Sequence, residues 1–434
     1  MTAATVIANA FGARGDGVTP CTAAIQRAID EAALQSGTVR FEQGTYLTGA
    51  LFLKSGMRFS IDKNVRLLGS QKLADYPMMA TRIAGIETDW PAALLNVCGQ
   101  ELVQIDGDGI LDGDGKIFWD SYWRLRRSYD PRGLRWAADY DCLRPRLIQI
   151  FNSSRVSLSG LQLRRSGFWT VHICYCDHVE VRDVVIRNNI GGRGPSTDGI
   201  DIDSSRHVVV ERADIACNDD AICLKAGRDW DGLRVNRPTE HVMIRDCIVR
   251  DGAAGVTFGS ETSGGFRDIE VSGLRAEFPV AVGIRFKSSC TRGGTIEHIR
   301  IRDVHLQDVP TVFRVDFNWN PDYSLPRMPD GVTGISPLWR TLTEPVSRER
   351  GLPHVKGVDV RDMIAIGARL GFDASAFADA PMQRFHFEGL RLDVRDAGSI
   401  RNAEDWSFVD CEIAGLDGLP PTISDSTRIA TTFR

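Results

Sequence analysis

What this chain lacks narrows it first. Nowhere do about 18 apolar residues run together, so no helical membrane span is written into it. Basic charge is not in surplus: 52 Lys and Arg stand against 57 Asp and Glu, a net of −5. That balance argues against a general nucleic-acid binder. The 10 cysteines (21, 98, 142, 174, 176, 217, 223, 247, 290 and 411) are scattered, with no pair at zinc-site spacing. Several fall at inward strand positions and read as small buried thiols; their even number leaves disulfides open if the chain is exported. Residues 1–7 show neither a basic region nor a long apolar stretch behind it, so no signal peptide is visible. This predicts a cytoplasmic protein, although a secreted or periplasmic chain trimmed to its mature form would read the same. No linker rich in Pro, Gly or Ser divides the chain, and one domain over residues 1–434 is expected.

What is present is a repeat. From about residue 150 the pattern apolar-x-apolar-x-x-apolar-x-apolar recurs every two to three dozen residues. It reads Val156, Leu158, Leu161, Leu163, then Val179, Val181, Val184, Ile186, and continues to Phe385, Phe387, Leu390, Leu392, with one long gap across 310–357. Alternation with period two marks a strand buried on one face. The two-residue slip keeps that face inward while the chain turns a corner. Polar or glycine residues fill the slips: Ser159-Gly160, Arg182-Asp183, Arg245-Asp246, Ser272-Gly273, Arg302-Asp303 and Glu388-Gly389. Such units cannot bury their faces singly but can when stacked as a parallel β-helix. Residues 22–33 form an amphipathic helix placed to cap the open end, within an N-terminal cap region of about residues 1–40.

The chemistry-bearing residues cluster. S-T-D-G-I-D-I-D (196–203) holds Asp198 and Asp201, and C-N-D-D-A-I (217–222) one coil later holds Asp219 and Asp220. Stacked coils lie about 4.8 Å apart, so loop carboxylates on neighbouring coils can meet. Crowded carboxylates repel, which leaves a protonated acid beside an ionised base, the pairing that glycoside hydrolysis requires. A calcium site or solvated turn aspartates fit the spacing equally well. Arg285 and Lys287, at i and i+2 of a strand, share one face and suit an anionic sugar, or else serve as surface counter-charges.

Taken together these motifs resemble the polygalacturonases of glycoside hydrolase family 28. That family carries an Asn-Thr-Asp-Gly-x-Asp segment, an Asp-Asp pair, a Gly-His-Gly turn and an Arg-Ile-Lys strand. The corresponding stretches here are STDGID (196–201), NDD (218–220), AAG (253–255) followed by FGSETSGG (258–265), and RFK (285–287). FGARGDG (11–17), GTYLTGALFLKSG (44–56), IDGDGILDGDGKIFW (105–119), RPRLIQI (144–150) and SGFWTVHI (166–173) extend the likeness over most of the chain. The resemblance implies an all-β, right-handed parallel β-helix of the pectin lyase-like kind. It also implies an inverting hydrolase of galacturonate-containing pectic chains, with no cofactor and no metal. Carried over by position, Asp219 would be the general acid, Asp198 and Asp220 would activate water, and Asp201 would orient its neighbours. Arg285 and Lys287 would hold the substrate carboxylate.

Three departures qualify the likeness. Ser196 replaces Asn, Phe286 replaces Ile, and Ala254 stands where the family has His. A methyl group cannot donate a hydrogen bond or tune an acid. Relatives acting on rhamnogalacturonan also lack this His, which makes a rhamnogalacturonan-directed hydrolase the competing expectation. Glu261 is a candidate compensating group in the substrate site, or a turn cap. Segment 117–146, rich in aromatics and arginines, is either a sugar-stacking wall or a loop packed on the solenoid. With the excursion across 310–357 it would close one end of a cleft, which favours exo action. A non-catalytic tailspike-like β-helix and a polysaccharide lyase are the readings from other classes; oligomeric state is not legible.

Overall fold

The slips are corners, and their composition has a conformational cause. In the computed structural model, which describes residues 4–331 and 335–433, the second residue of each slip adopts the left-handed conformation. Gly160, Asp183, Asp246, Gly273, Asp303 and Gly389 have φ of 78, 57, 55, 65, 53 and 68°. Gly, Asn and Asp visit this region at the lowest cost, which favours them at these corners, although Arg212 takes it at the corner between Val210 and Ala213, with φ 50°. Each corner joins a back-sheet strand such as Ser154–Ser159 to a short third-sheet strand such as Gln162–Arg164.

Each coil also contains a third strand that the repeat pattern did not separate. Leu95–Cys98, Ile148–Phe151, Val171–Cys174, Ile200–Asp203, Asp220–Lys225, Ala254–Phe258, Val282–Lys287 and Thr311–Asp316 stack in parallel as a front sheet. Their register lines up Val97, Ile150, Ile173, Ile202, Leu224, Phe258, Phe286 and Val315 one above the next inside the helix. Phe258 and Phe286 stack face to face at 4.4 Å, so Phe286 belongs to the core. The coils begin earlier than the pattern suggested, with Thr38–Arg40 and Gly44–Thr48 already paired into the solenoid. The long gap holds a regular front strand, Thr311–Asp316; residues 332–334 within it lie outside the described residues. Helix Thr22–Leu34 turns Ala24, Ile25, Ala28, Ile29 and Ala32 onto the first coil and caps it as expected. All ten cysteines are free and eight are buried.

Three of the excursions from the solenoid meet over the front sheet. The first is the antiparallel hairpin Met78–Ile83 and Ile86–Pro91. A second is the helical insertion from Lys116–Tyr129 to Ala138–Asp141, and the third carries the helices Pro321–Ser324 and Pro337–Leu342. Together they build a second apolar core containing Ile83, Trp90, Trp136, Tyr140, Phe168, Trp169 and Leu342, with Trp339 packed edge-on against Trp136 at 4.9 Å. The aromatics Trp119, Tyr122, Trp136 and Tyr140 are therefore packing residues, and the sugar-stacking reading of 117–146 does not hold for them.

Unfolding measurements report on the corners directly. A Cβ on Gly160 would meet the Gly107 carbonyl oxygen at 2.3 Å as well as forcing an L-residue to φ 78°. Gly160→Ala should cost more than the ~1–2 kcal/mol of left-handed strain alone. Asp183→Gly, where that strain is relieved, should change urea stability by less than about 1 kcal/mol.

Candidate active site

Parallel stacking explains why acids from distant stretches of chain converge. Two consecutive front strands, Ile200–Asp203 and Asp220–Lys225, pair so that Asp201 lies across from Cys223 and Asp203 across from Lys225. The residues just before these strands, Asp198 and Asp219, bend over the sheet at its corner. Asp198, Asp219 and Asp220 each bring an oxygen within 4.8 Å of the others. Asp201 and Asp220 thus sit on strands rather than on the loops expected for them.

The cations are equally concentrated. On strand Val282–Lys287, Lys287 Nζ donates to Asp220 Oδ2 at 2.7 Å, and Arg285 Nη1 lies 3.3 Å from Asp220 Oδ1. Arg285 also donates to the carbonyl of Ala253 at 2.6 Å, beside the methyl of Ala254, which is in register with Asp220. Lys225, which the sequence reading missed, lies between three carboxylates: Asp201 and Glu261 at 3.4 Å and Asp198 at 3.5 Å. Indole rings cap two of these ammonium groups. Trp169 lies 4.7 Å from Lys225 and Trp319 lies 4.3 Å from Lys287, a desolvated cation–π geometry.

These neighbours drive the acids apart. Burial works against ionisation of Asp220, but Lys287 and then Arg285 outweigh it and hold the carboxyl down at about 2. Glu261 is also held low against its burial, chiefly by Lys225 and then Arg292. Asp219 is pushed up by burial and next by Asp220. Burial raises Asp198 well above the carboxylate range, with Asp201 and Asp219 adding to it. Asp201 rises to about 7 through burial, with Lys225 opposing and Glu261 reinforcing.

Charge balance leads to the same division. Asp198, Asp201, Asp219, Asp220 and Glu261 share this space with Lys225, Arg285 and Lys287. Asp220 is matched by Lys287 and Arg285, and Glu261 by Lys225 with Arg292, so the other three acids share little positive charge. They are pushed toward the protonated form, Asp219 singly and Asp198 with Asp201 as a pair. Lys225 already stands where a metal ion would neutralise Asp198 and Asp201, so the donor set fits an internal ammonium better than an added cation.

Support comes from behind and from the side. His172, in register with Asp201, is fully buried and held neutral, its pKa lowered by burial to about 4. It contacts Arg146 at 2.6 Å and Asp203 at 3.5 Å, and Arg82 from the hairpin pairs with Asp203 at 3.0 Å. Ser196 bonds through its hydroxyl to Asp139 at 2.8 Å, tying the acid-bearing segment to the helical insertion. Asp139 is itself fixed by Arg135 at 2.8 Å and Arg144 at 2.9 Å. The cleft over the acids is walled by Ala84, Arg135, Trp169, Ser260, Glu261, Trp319 and Tyr323. Glu261 is thus in the site rather than a simple turn cap. Lys225 carried a weak sequence signal, an outward position on the strand that follows the Asp-Asp pair; the hairpin arginine and His172 carried none.

Comparison with known proteins bears on this arrangement. Residues 41–333 match the family model described as glycosyl hydrolases family 28, and residues 6–73 match that for rhamnogalacturonase A/epimerase, pectate lyase-like. A probable polygalacturonase of Vitis vinifera is 28% identical over 82% of this chain and 67% of its own. An exo-poly-alpha-D-galacturonosidase of Dickeya chrysanthemi is 23% identical over 94% of this chain and 70% of its own. Among solved structures, a hyperthermoactive exopolygalacturonase from Thermotoga maritima superposes with a TM-score of 0.73 at 26% identity, covering 92% of this chain and 87% of that one. A family 28 exopolygalacturonase of Yersinia enterocolitica reaches 0.77 at 19% identity, covering 100% of this chain and 79% of that one, a likeness of fold.

Removing one partner from a buried, charged group exposes its cost. Lys287→Met should destabilise the protein by about 3–5 kcal/mol at neutral pH. Asp220 is lowered in the folded state, so its contribution exists above the unfolded carboxylate range and disappears as pH falls toward about 2. Guanidinium unfolding at pH 7 and at successively lower pH should show the difference between wild type and variant shrinking below about pH 4.

Proposed function

The chain belongs to glycosyl hydrolases family 28, and from that premise we propose that it is an exo-acting hydrolase of galacturonate-containing pectic chains. The observation that carries the mode of attack is the closure of one end of the cleft. The hairpin, the helical insertion and the segment after Asp316 interlock there through Tyr140, whose hydroxyl donates to the Ala84 carbonyl at 2.8 Å. Arg228 bonds both the Tyr140 hydroxyl and the Tyr323 carbonyl, at 3.0 and 2.7 Å. A wall at this end would stop a polymer from passing and leave the cleft to a chain terminus. The relatives named as exo-galacturonosidase and exopolygalacturonases support the same reading.

In the proposed reaction Asp219, the protonated acid, delivers its proton to the glycosidic oxygen as the bond breaks. Asp220, ionised beside Lys287 and Arg285, accepts a proton from the attacking water, assisted by the ionised member of the Asp198–Asp201 pair. Attack from the face opposite the leaving group would invert the anomeric centre, as the family resemblance implies; the acid oxygens lie within 4.8 Å of one another, closer than the separation usual for inversion. Arg285 and Lys287 have their first partner in Asp220; a substrate carboxylate bound near them shares their charge, which couples binding to the state of the base. Ala254 favours a second reading within the family, rhamnogalacturonan oligosaccharides, because the family's imidazole is missing beside Asp220.

Product analysis distinguishes these. Polygalacturonate should yield monomer or one short oligomer from the earliest times with little fall in viscosity, and NMR should show the inverted anomer first. Rapid viscosity loss would refute exo action, and turnover of rhamnogalacturonan oligosaccharides alone would establish the second reading. Asp219→Asn should lower kcat by about 10²–10⁴ while leaving the melting temperature near wild type; near-normal turnover would sink the assignment of the acid. Arg285→Ala should both raise KM and lower kcat, since it removes a contact to substrate and a partner of Asp220 together.

A further inference from the structure

Lys225 is a buried ammonium that takes no part in the proton transfers of Asp219 and Asp220. It projects from strand Asp220–Lys225, its side chain almost wholly covered, and among the described residues no acid is closer than 3.4 Å while three lie at nearly equal range. A structural salt bridge would show one short contact; this geometry is that of a charge shared among several acids. Among the described residues both oxygens of Asp201 are buried without a hydrogen-bond partner, and Lys225, 3.4 Å away, can stabilise a negative charge there. Glu261, in turn, comes from the segment after strand Ala254–Phe258 and meets the same ammonium. It is the one acid of the group that lies on neither of the two motifs bearing the aspartates.

We propose that Lys225, balanced by Glu261, is the positioning residue that keeps one carboxyl of the Asp198–Asp201 pair ionised, an electrostatic duty that the methyl group of Ala254 cannot perform. The inference rests on the hydrolase reading of the same site. The groups facing Lys225 are Asp198, Asp201 and Asp203 from the preceding coil, Cys223 on its own strand, Glu261 from the coil beyond, and the Trp169 ring. Asp219, Asp220 and neutral His172 feel its charge at longer range. Glu261 is faced in addition by Arg292, Lys287 and Arg228, so it remains ionised and draws part of the field of Lys225 away from the aspartates. Removing the lysine should make the Asp198–Asp201 pair harder to ionise; removing the charge of Glu261 should make it easier.

Two opposite displacements therefore test the idea. In Lys225→Met the acidic limb of the kcat/KM profile should move up by about one pH unit, with activity at pH 5 reduced roughly tenfold. The isosteric Glu261→Gln should move the limb down, and Lys225→Arg should return it toward wild type. A second readout needs no substrate. Because the folded pair binds its proton more tightly than the unfolded chain, stability falls as pH rises from about 4 until the pair has ionised. Melting temperatures should show this decline extending to higher pH in Lys225→Met and ending at lower pH in Glu261→Gln. Unmoved limbs and unmoved melting profiles, with activity merely lost, would overturn the proposal and leave Lys225 a structural ion. If Lys225→Met does not fold, the direction of the Glu261→Gln shift decides alone. Should the melting profiles shift as stated while wild type hydrolyses no pectic substrate, the hydrolase reading fails and the charge relation stands.

Discussion

Everything in this molecule depends on the spacing between stacked coils. Main-chain pairing sets neighbouring strands about 4.8 Å apart, and whatever side chains occupy equivalent outward positions are pressed together at that distance. Inside the helix the constraint is favourable, since Ile on Ile and Phe on Phe bury one another along continuous columns. On the front face it is costly, because it compresses like charges. The protein answers with cations threaded between acids and with indole rings that shut water out of two of them. The unequal acid strengths that the chemistry requires follow from this compression.

The sequence disclosed the parts of the structure that obey a local rule. The corners were legible because each needs a residue that tolerates the left-handed conformation, as at Gly160 and Asp183. The acids were legible because Asp198, Asp219 and Asp220 fall within recognisable motifs. Other parts depend on contacts between segments far apart in the chain. Arg82 reaches Asp203 across 121 residues, and nothing near either position announces the other. Trp136 and Tyr140 could be recognised as aromatic, but whether they faced sugar or core was settled by the hairpin and the helices that cover them. The front strands escaped notice as a separate sheet because their outward residues are buried under these excursions, so the half-buried alternation that marks a strand is blurred.

The excursions also show how a solenoid acquires a blind end. A β-helix has no natural stop along its face, and an open groove accepts a polymer anywhere. Here three segments distant in the chain make a shared apolar core above the front sheet. Buried arginines complete the junction, Arg144 lying 4.2 Å from the Tyr122 ring and Arg228 4.5 Å from that of Tyr323. A wall held by both apolar packing and buried cations over rings can define where a chain terminus stops relative to the acids.

The hydrogen bond from Ser196 to Asp139 gives that wall a second significance. It joins the segment bearing Asp198 to the insertion that blocks the cleft, so the two are not independent modules that evolution could exchange freely. Shortening the insertion to open the groove would release Asp139, loosen its arginines and unsettle the acid-bearing turn at the same stroke. Lineages built on this plan would then shift between trimming ends and cutting mid-chain only by passing through forms that are poorer at both, and mode of attack and catalytic rate would be inherited together.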